Sequence, residues 1–192
     1  MLRVHIFGAS GSGTTTLGRA LAETLGIDHF DTDDFYWEQT DPPFMVKRAV
    51  EERRRILRER LLQSEQWTLS GSLVNWAEGI DTLYTHVVLL HLPSDIRLAR
   101  LVAREADRYG ARALPGGDMH ENVQEFLAWA ARYDEGGLDV RSRALHEQYI
   151  HTLACPALTL ESEQPVEALV QAACAWLAAN PAYRSGNDDR SK

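Results

Sequence analysis

The run Gly8-Ala9-Ser10-Gly11-Ser12-Gly13-Thr14-Thr15 separates a short apolar segment, 2–7, from a series of apolar residues at helical spacing, Leu17, Ala20, Leu21 and Leu25. β-branched Val4 and Ile6 followed by a glycine cluster predict a buried strand, and Gly26 after the periodic run predicts a helix stop. Two glycines five apart followed by a hydroxyl residue form a phosphate-binding pattern, in which Thr14 stands where the pattern has lysine. Small residues at Gly8, Ser10, Gly11, Ser12 and Gly13 let successive backbone N–H groups close around phosphate oxygens. Thr14 begins a helix whose positive dipole end faces the same space. Thr15 falls where a hydroxyl ligand of magnesium belongs. Lys47 and Lys192 are the only lysines among twenty basic side chains. The charge that lysine usually supplies beside a transferred phosphoryl group is therefore expected from arginine.

Outward from this loop, strands and helices alternate. Residues 27–34 read as a second strand ending in carboxylates, and Thr40-Asp41-Pro42-Pro43 breaks the chain before a helix over 46–62. A third strand over 67–70 ends at Gly71. His86-Val87-Val88-Leu89-Leu90-His91-Leu92 is the clearest strand; Pro93 ends it, and Ser94 or Asp95 is available to cap the next helix. That helix carries Ile96, Leu98, Leu101 and Val102 on its expected inner side and breaks near Gly110. Helices are predicted over 118–133 and 140–153, a fifth strand over 157–160, and a final helix opened by Pro165. The tail from Tyr183 (183–192) is polar. Alternation implies parallel pairing through helical crossovers, hence an α/β domain spanning 1–180. In such sheets the ligand sits at the carboxyl ends of the strands, where Gly8, Asp31 and Gly71 fall.

At 192 residues, 44% hydrophobic and 25% charged, the chain suits one ordinary globular domain. A formal charge of -8 argues against nucleic-acid and anionic-membrane partners. No apolar run reaches the roughly 18 residues of a membrane span, and the opening residues lack a signal-peptide pattern, so a cytoplasmic location is expected. Cys155 and Cys174 have neither zinc-ligand nor disulfide-framework spacing, the seven histidines show no metal spacing, and no obligate protein partner is indicated.

On the glycine loop, the sequence resembles the adenylate-kinase-like P-loop small kinases: nucleoside monophosphate kinases, with shikimate and gluconate kinases as relatives. Some cytidylate kinases are similar in carrying Gly-Thr-Thr-Thr after the loop, as Gly13-Thr14-Thr15-Thr16 does here. The resemblance covers about 1–177, strongly at the loop and weakly elsewhere. It implies a three-layer P-loop NTPase fold with a five-stranded parallel sheet, a lid over about 104–140, an acceptor-binding helical region over about 38–65, and ATP with Mg2+ as donor. Asp31-Thr32-Asp33-Asp34 is similar to the Phe-Asp-x-Asp segment of shikimate kinases. By that similarity Asp31 faces the metal and Asp33 the acceptor hydroxyl, while the family's other metal carboxylate is here Ser70. Arg100, Arg104 and Arg108 recur on one helix face. Arg100-Leu101-Val102-Ala103-Arg104 is similar to the family's lid arginine pair, with Arg104 the first choice for clamping phosphate. Arg141 and Arg143 correspond to its second arginines.

Bland readings stand beside these. The aspartates can be a turn-forming cluster, the arginine row a solvated face partnered by Glu105 and Asp107, and Phe35, Tyr36 and Trp37 either the lining of a base or ring pocket or, as is commoner at this density, core residues. Arg48 or Arg53 would serve a phosphorylated acceptor, with Trp37 and Trp76 as stacking surfaces. A hydroxylated metabolite would lean instead on Asp33 and the Gly71-Ser72 turn. The reading favoured is an ATP-dependent phosphotransferase with a nucleoside monophosphate acceptor; the alternatives are a small-metabolite kinase, a non-catalytic nucleotide-binding protein, and a dinucleotide-binding protein. The last fits poorly, because Gly8-x-x-Gly11-x-Gly13 is not the dinucleotide fingerprint.

Overall fold

The computed structural model describes residues 1–181. Five strands, β1 (Arg3–Gly8), β2 (Asp28–Asp31), β3 (Trp67–Ser70), β4 (His86–His91) and β5 (Ala157–Glu161), form one parallel sheet in the order β2-β3-β1-β4-β5. Seven helices are described: α1 (Thr14–Leu25), α2 (Asp33–Tyr36), α3 (Val50–Leu62), α4 (Ser94–Tyr109), α5 (His120–Ala131), α6 (Arg143–Thr152) and α7 (Val166–Ala179). The predicted polar tail, 183–192, lies outside the described residues.

The pleat sorts the central strands between two cores. Val4 and Ile6 of β1, with Val88 and Leu90 of β4, pack with Leu17 and Leu21 of α1 and Leu169, Val170 and Ala173 of α7. Their neighbours Phe7, Val87 and Leu89 face the other side and pack with Leu57 and Leu61 of α3, Trp67 and Leu69 of β3, and Trp76 and Ile80 of the following loop. This accounts for the near-continuous apolar sequence of β1 and β4, which are covered on both faces. A smaller cluster, Tyr109, Met119 and Val123, joins the end of α4 to α5.

Three expectations needed correction. The second strand ends at Asp31, and residues 33–36 turn into the short α2. The amide of Asp33 donates to Asp31 Oδ1 at 3.0 Å, which folds the carboxylate cluster into a turn. The helix predicted over 46–62 begins at Val50, because Trp37 and Lys47 form an antiparallel bridge that draws the preceding residues into a loop. On α4 the buried stripe is Arg97, Leu101, Glu105 and Tyr109, and Val102 is exposed; neither Ser94 nor Asp95 caps this helix, since Pro93 occupies the cap position. Two charged residues sit on the inner face, and a hydropathy reading assigns such residues outward.

The turn after β3 sets how β2 and β3 end together. Thr32 N–H donates to Ser70 O at 2.8 Å and Gly71 N–H to Ile6 O at 2.9 Å. Gly71 has φ +103, and a Cβ there would lie 1.9 Å from Thr32 Oγ1 and 3.0 Å from Thr32 Cβ. Gly79 has φ +75 but open space around it. Gly79→Ala is therefore expected to cost only the left-handed backbone penalty, about 1 kcal/mol. Gly71→Ala adds a collision with a buried neighbour and should cost roughly 3 kcal/mol or more. Denaturant midpoints of the two variants measure the difference, and equal midpoints would contradict the close approach at Gly71.

Candidate active site

The glycine loop joins β1 to α1, with Gly13 in the left-handed region at the helix cap. Its path needs glycine at position 11, where φ is +83 and a Cβ would sit 2.9 Å from Arg97 O and against Leu101. Beneath the loop, the Arg97 side chain is fully buried. It donates from Nε to Leu92 O at 3.2 Å and from Nη1 to Ser10 O and Ala130 O, both at 3.4 Å. Its Nη2 pairs with Asp134 at 2.6 Å. One guanidinium thus pins the loop to the end of β4 and to α5. Ser12 is buried, and its hydroxyl has no partner among the described residues.

At the carboxyl end of β2, Asp31 is held from three sides. Thr15 Oγ1 donates to its Oδ2 at 2.6 Å, Ser70 Oγ donates to the same oxygen at 3.1 Å, and the Asp33 amide donates to Oδ1. His29 Nε2 lies 2.9 Å from Ser70 Oγ. Thr15 and Asp31 thus bring two hard oxygen donors together beside the first turn of α1, a donor set that suits magnesium.

Gly8, Ser10, Gly11, Thr14, Thr15, Asp31, Asp33, Arg104, Arg108 and Arg141 all line one cavity of about 790 Å³. Asp33 opens onto it, accessible to solvent yet ringed by protein. Burial first, then the neighbouring Asp31 carboxylate, raise its pKa above the ordinary value, against the opposing pull of Arg141, Arg104 and Arg108. Arg141 comes from the loop before α6, not from that helix as expected. Its Nη2 donates to Ser10 Oγ at 2.5 Å, and its Nε is buried without a partner among the described residues. Burial lowers its pKa, with Asp33 as the largest opposing influence. Arg104 and Arg108 share the buried Glu105, at 2.7 and 3.0 Å.

Other predicted basic residues fall outside. Arg100 is exposed and does not line the cavity. Arg143 pairs with Glu147 at 2.8 Å and with His91 across a separate, smaller cleft. Arg48 braces the loop after α2, donating to Phe35 O and Trp37 O.

Sequence reasoning undervalued Arg53 and missed the purpose of the aromatics. Arg53 is buried and lines the cavity, its guanidinium carbon 4.1 Å from the Tyr36 ring centroid and 4.8 Å from that of Trp76. Its Nε has no partner among the described residues. Arg108 lies 4.4 Å over Phe44, Arg141 4.3 Å over Trp129, Arg104 5.5 Å over Phe126, and Lys47 6.0 Å over Trp37. Each cavity cation is backed by an aromatic face. Only the density of Trp, Tyr and Phe around 35–37 hinted at this in the sequence.

No family model matches the chain. Among solved structures, a shikimate kinase from Acinetobacter baumannii in complex with shikimate is 18% identical, with 95% of this chain and 96% of that one covered and a TM-score of 0.60. A gluconokinase from Sinorhizobium meliloti 1021 is 19% identical, with 93% and 92% covered and a TM-score of 0.53. These likenesses establish the P-loop kinase fold with its five-stranded parallel sheet. A 38-residue stretch is 53% identical to Shikimate kinase 2 of Sodalis glossinidius, covering 19% of this chain and 22% of that protein. No helix among the described residues is long and apolar enough to cross a membrane. The uncharacterized protein YqaC of Bacillus subtilis (strain 168) is 44% identical over 177 residues, spanning 92% of this chain and 98% of its own length, and the chain belongs to the same family as YqaC.

Proposed function

We propose that this chain is an ATP- and magnesium-dependent phosphotransferase that delivers the terminal phosphoryl group to a hydroxyl of a small metabolite. One observation carries the reading: the glycine loop, the Thr15–Asp31 pair, the raised-pKa carboxylate of Asp33 and four arginines face a single cavity. The chain is read as a single kinase domain, with 104–140 as its lid and 38–65 as its acceptor region.

The first-turn amides of α1 have no intrahelical partners and are suited to triphosphate oxygens. Thr15 and Asp31 would hold the magnesium ion, Asp31 directly or through water, and the ion would supply positive charge beside the phosphate oxygens. Asp33 takes the proton of the acceptor hydroxyl as its oxygen bonds to the γ-phosphorus and the bond to the bridging oxygen of the departing diphosphate breaks. Its raised pKa makes it a better base than an ordinary aspartate. Arg141 and Arg104 spread the charge of the transferring group, Arg141 standing in for the lysine that Thr14 replaces. Arg108 assists from the same helix as Arg104, and Arg100, one turn earlier on that face, is left for the outer part of the nucleotide. Arg53, with an unpartnered buried N–H, suits an anionic group on the acceptor.

A nucleoside monophosphate acceptor is the second reading. It calls for Trp37 and Trp76 as stacking surfaces, but those rings already back Lys47 and Arg53. The solved neighbours named for shikimate and gluconate further support a hydroxylated metabolite.

The deciding experiment is a panel of shikimate, gluconate and nucleoside monophosphates with ATP and magnesium, read as phosphoryl transfer. Transfer to nucleotides alone would favour the second reading, and absence of any triphosphate binding would sink both. With an acceptor in hand, Arg141→Ala is expected to lower kcat about a hundredfold, comparable to losing one preorganised charge donor. Thr14→Lys in that background should restore part of the loss; no recovery would contradict the substitution of arginine for lysine. The pH profile gives a separate check. Asp33 must be ionised to accept a proton, so kcat/KM should fall as pH drops through its raised pKa, above the usual aspartate range. Arg104 opposes that rise, so Arg104→Gln should move the acid limb to still higher pH. A limb that stays in place or moves down would contradict the assignment of Asp33 as the base.

A further inference from the structure

One buried polar chain reaches the cavity without a part in the mechanism above. His146 of α6 is fully buried; its Nε2 lies 2.9 Å from Ser72 Oγ and its Nδ1 2.8 Å from the Tyr133 hydroxyl. The ring is fixed edge-on against Phe7 at 5.1 Å and Tyr133 at 5.4 Å. Ser72 follows Gly71 and lines the cavity. The chain runs from Tyr133 through His146 to Ser72 at the cavity wall.

Its direction follows from proton counting. Burial, then Arg141 and His5, push the His146 pKa down to about 3, so the imidazole is neutral and carries one proton. Burial pushes the Tyr133 phenol further above its ordinary value, so it keeps its proton, and its sole hydrogen bond among the described residues is to His146. If the phenol accepted from Nδ1–H, its own O–H would be left buried without an acceptor, at a cost of roughly 1–3 kcal/mol. The phenol therefore donates to Nδ1, the imidazole proton sits on Nε2, and Nε2–H donates to Ser72 Oγ. With that lone pair occupied, the Ser72 hydroxyl proton is free to point into the cavity.

We propose that Ser72 is a specificity-determining donor that gives its hydroxyl proton to an oxygen of the acceptor, and that His146 and Tyr133 are positioning residues that hold it in the donating direction. This rests on reading the cavity as a phosphotransferase site. It selects acceptors with an oxygen lone pair beside the reacting hydroxyl, and penalises those that offer only a donor there.

Two measurements on the whole protein test it. Long-range 1H–15N correlation spectra of the His146 ring should show one neutral Nε2–H tautomer from pH 5 to 9, and in Tyr133→Phe that tautomer should persist while the Nδ1 resonance shifts with the loss of its donated hydrogen bond. An Nδ1–H tautomer in the unmodified protein, or titration near pH 6.5, overturns the proposed direction. With whichever acceptor of the panel is phosphorylated most efficiently, Ser72→Ala should raise the acceptor KM about three- to tenfold, the loss of one hydrogen bond. kcat and the KM for ATP should stay within about twofold. His146→Gln, whose amide N–H can stand near Nε2, should keep the acceptor KM lower than His146→Leu does. An unchanged acceptor KM in Ser72→Ala overturns the contact while leaving the phosphotransferase reading intact. If the unmodified protein transfers phosphate to nothing in the panel, that reading fails and the acceptor contact fails with it, whatever tautomer the spectra report.

Discussion

Five positive side chains, Lys47, Arg53, Arg104, Arg108 and Arg141, face one cavity in a chain whose formal charge is -8. Two like charges 8 Å apart repel by roughly 2 kcal/mol at an effective dielectric of about 20, so such a gathering must be held. Counter-ions alone would neutralise the charge that makes the cavity useful. Here Glu105 bridges only Arg104 and Arg108, while every one of the five rests on an aromatic face. A ring quadrupole attracts the cation, by about 0.5–2 kcal/mol, without cancelling its charge. The guanidinium edges stay available to oxygens.

That constraint explains several features that look unrelated. The positive-φ residue Phe44 and the bridge between Trp37 and Lys47 shape a loop that places one ring under Arg108 and another under Lys47. Tyr109 fastens the same loop to α4 by donating to Pro43 O at 3.1 Å. Trp129 is more than a third exposed, and its ring also carries the Arg141 guanidinium at the cavity wall.

The sequence made the framework legible because its signals are local. The glycine loop, the spacing of Leu17 and Leu21, and the apolar runs of β1 and β4 each report on a few neighbouring residues, and the sheet followed from their alternation. The position of Asp31 at a strand end beside the loop was legible for the same reason, whereas the turn that carries Asp33 into α2 was not. What failed to read was long-range. Arg97 lies on the inner stripe of α4 because of partners at Ser10, Leu92 and Asp134, none of which a periodicity reveals. Arg100 shares a face with Arg104, yet one turn moves it away from the cavity. Arg53 sits within the charged run Glu51 to Arg55, and nothing local says that Tyr36 and Trp76 close on it.

The replacement of lysine has a consequence for how the proposed reaction would be controlled. A lysine on the glycine loop is carried by the same rigid turn that binds the phosphates, so it is in place before anything closes. Arg141 belongs instead to the segment between α5 and α6, and only its contacts with Ser10 and Trp129 bring it over the loop. Any movement of that segment would take the charge with it. Bonding Ser10 Oγ also orients the donor while leaving Nε buried and without a partner among the described residues, a cost of about 1–3 kcal/mol that an incoming oxygen would relieve. On the proposed reading, phosphate and the 131–143 segment therefore stabilise each other, and transfer is competent only while that segment is seated. Arg97 then has a second role beyond bracing: by bonding Ser10 O, Ala130 O and Asp134 together, it ties the loop to the start of the segment that must seat.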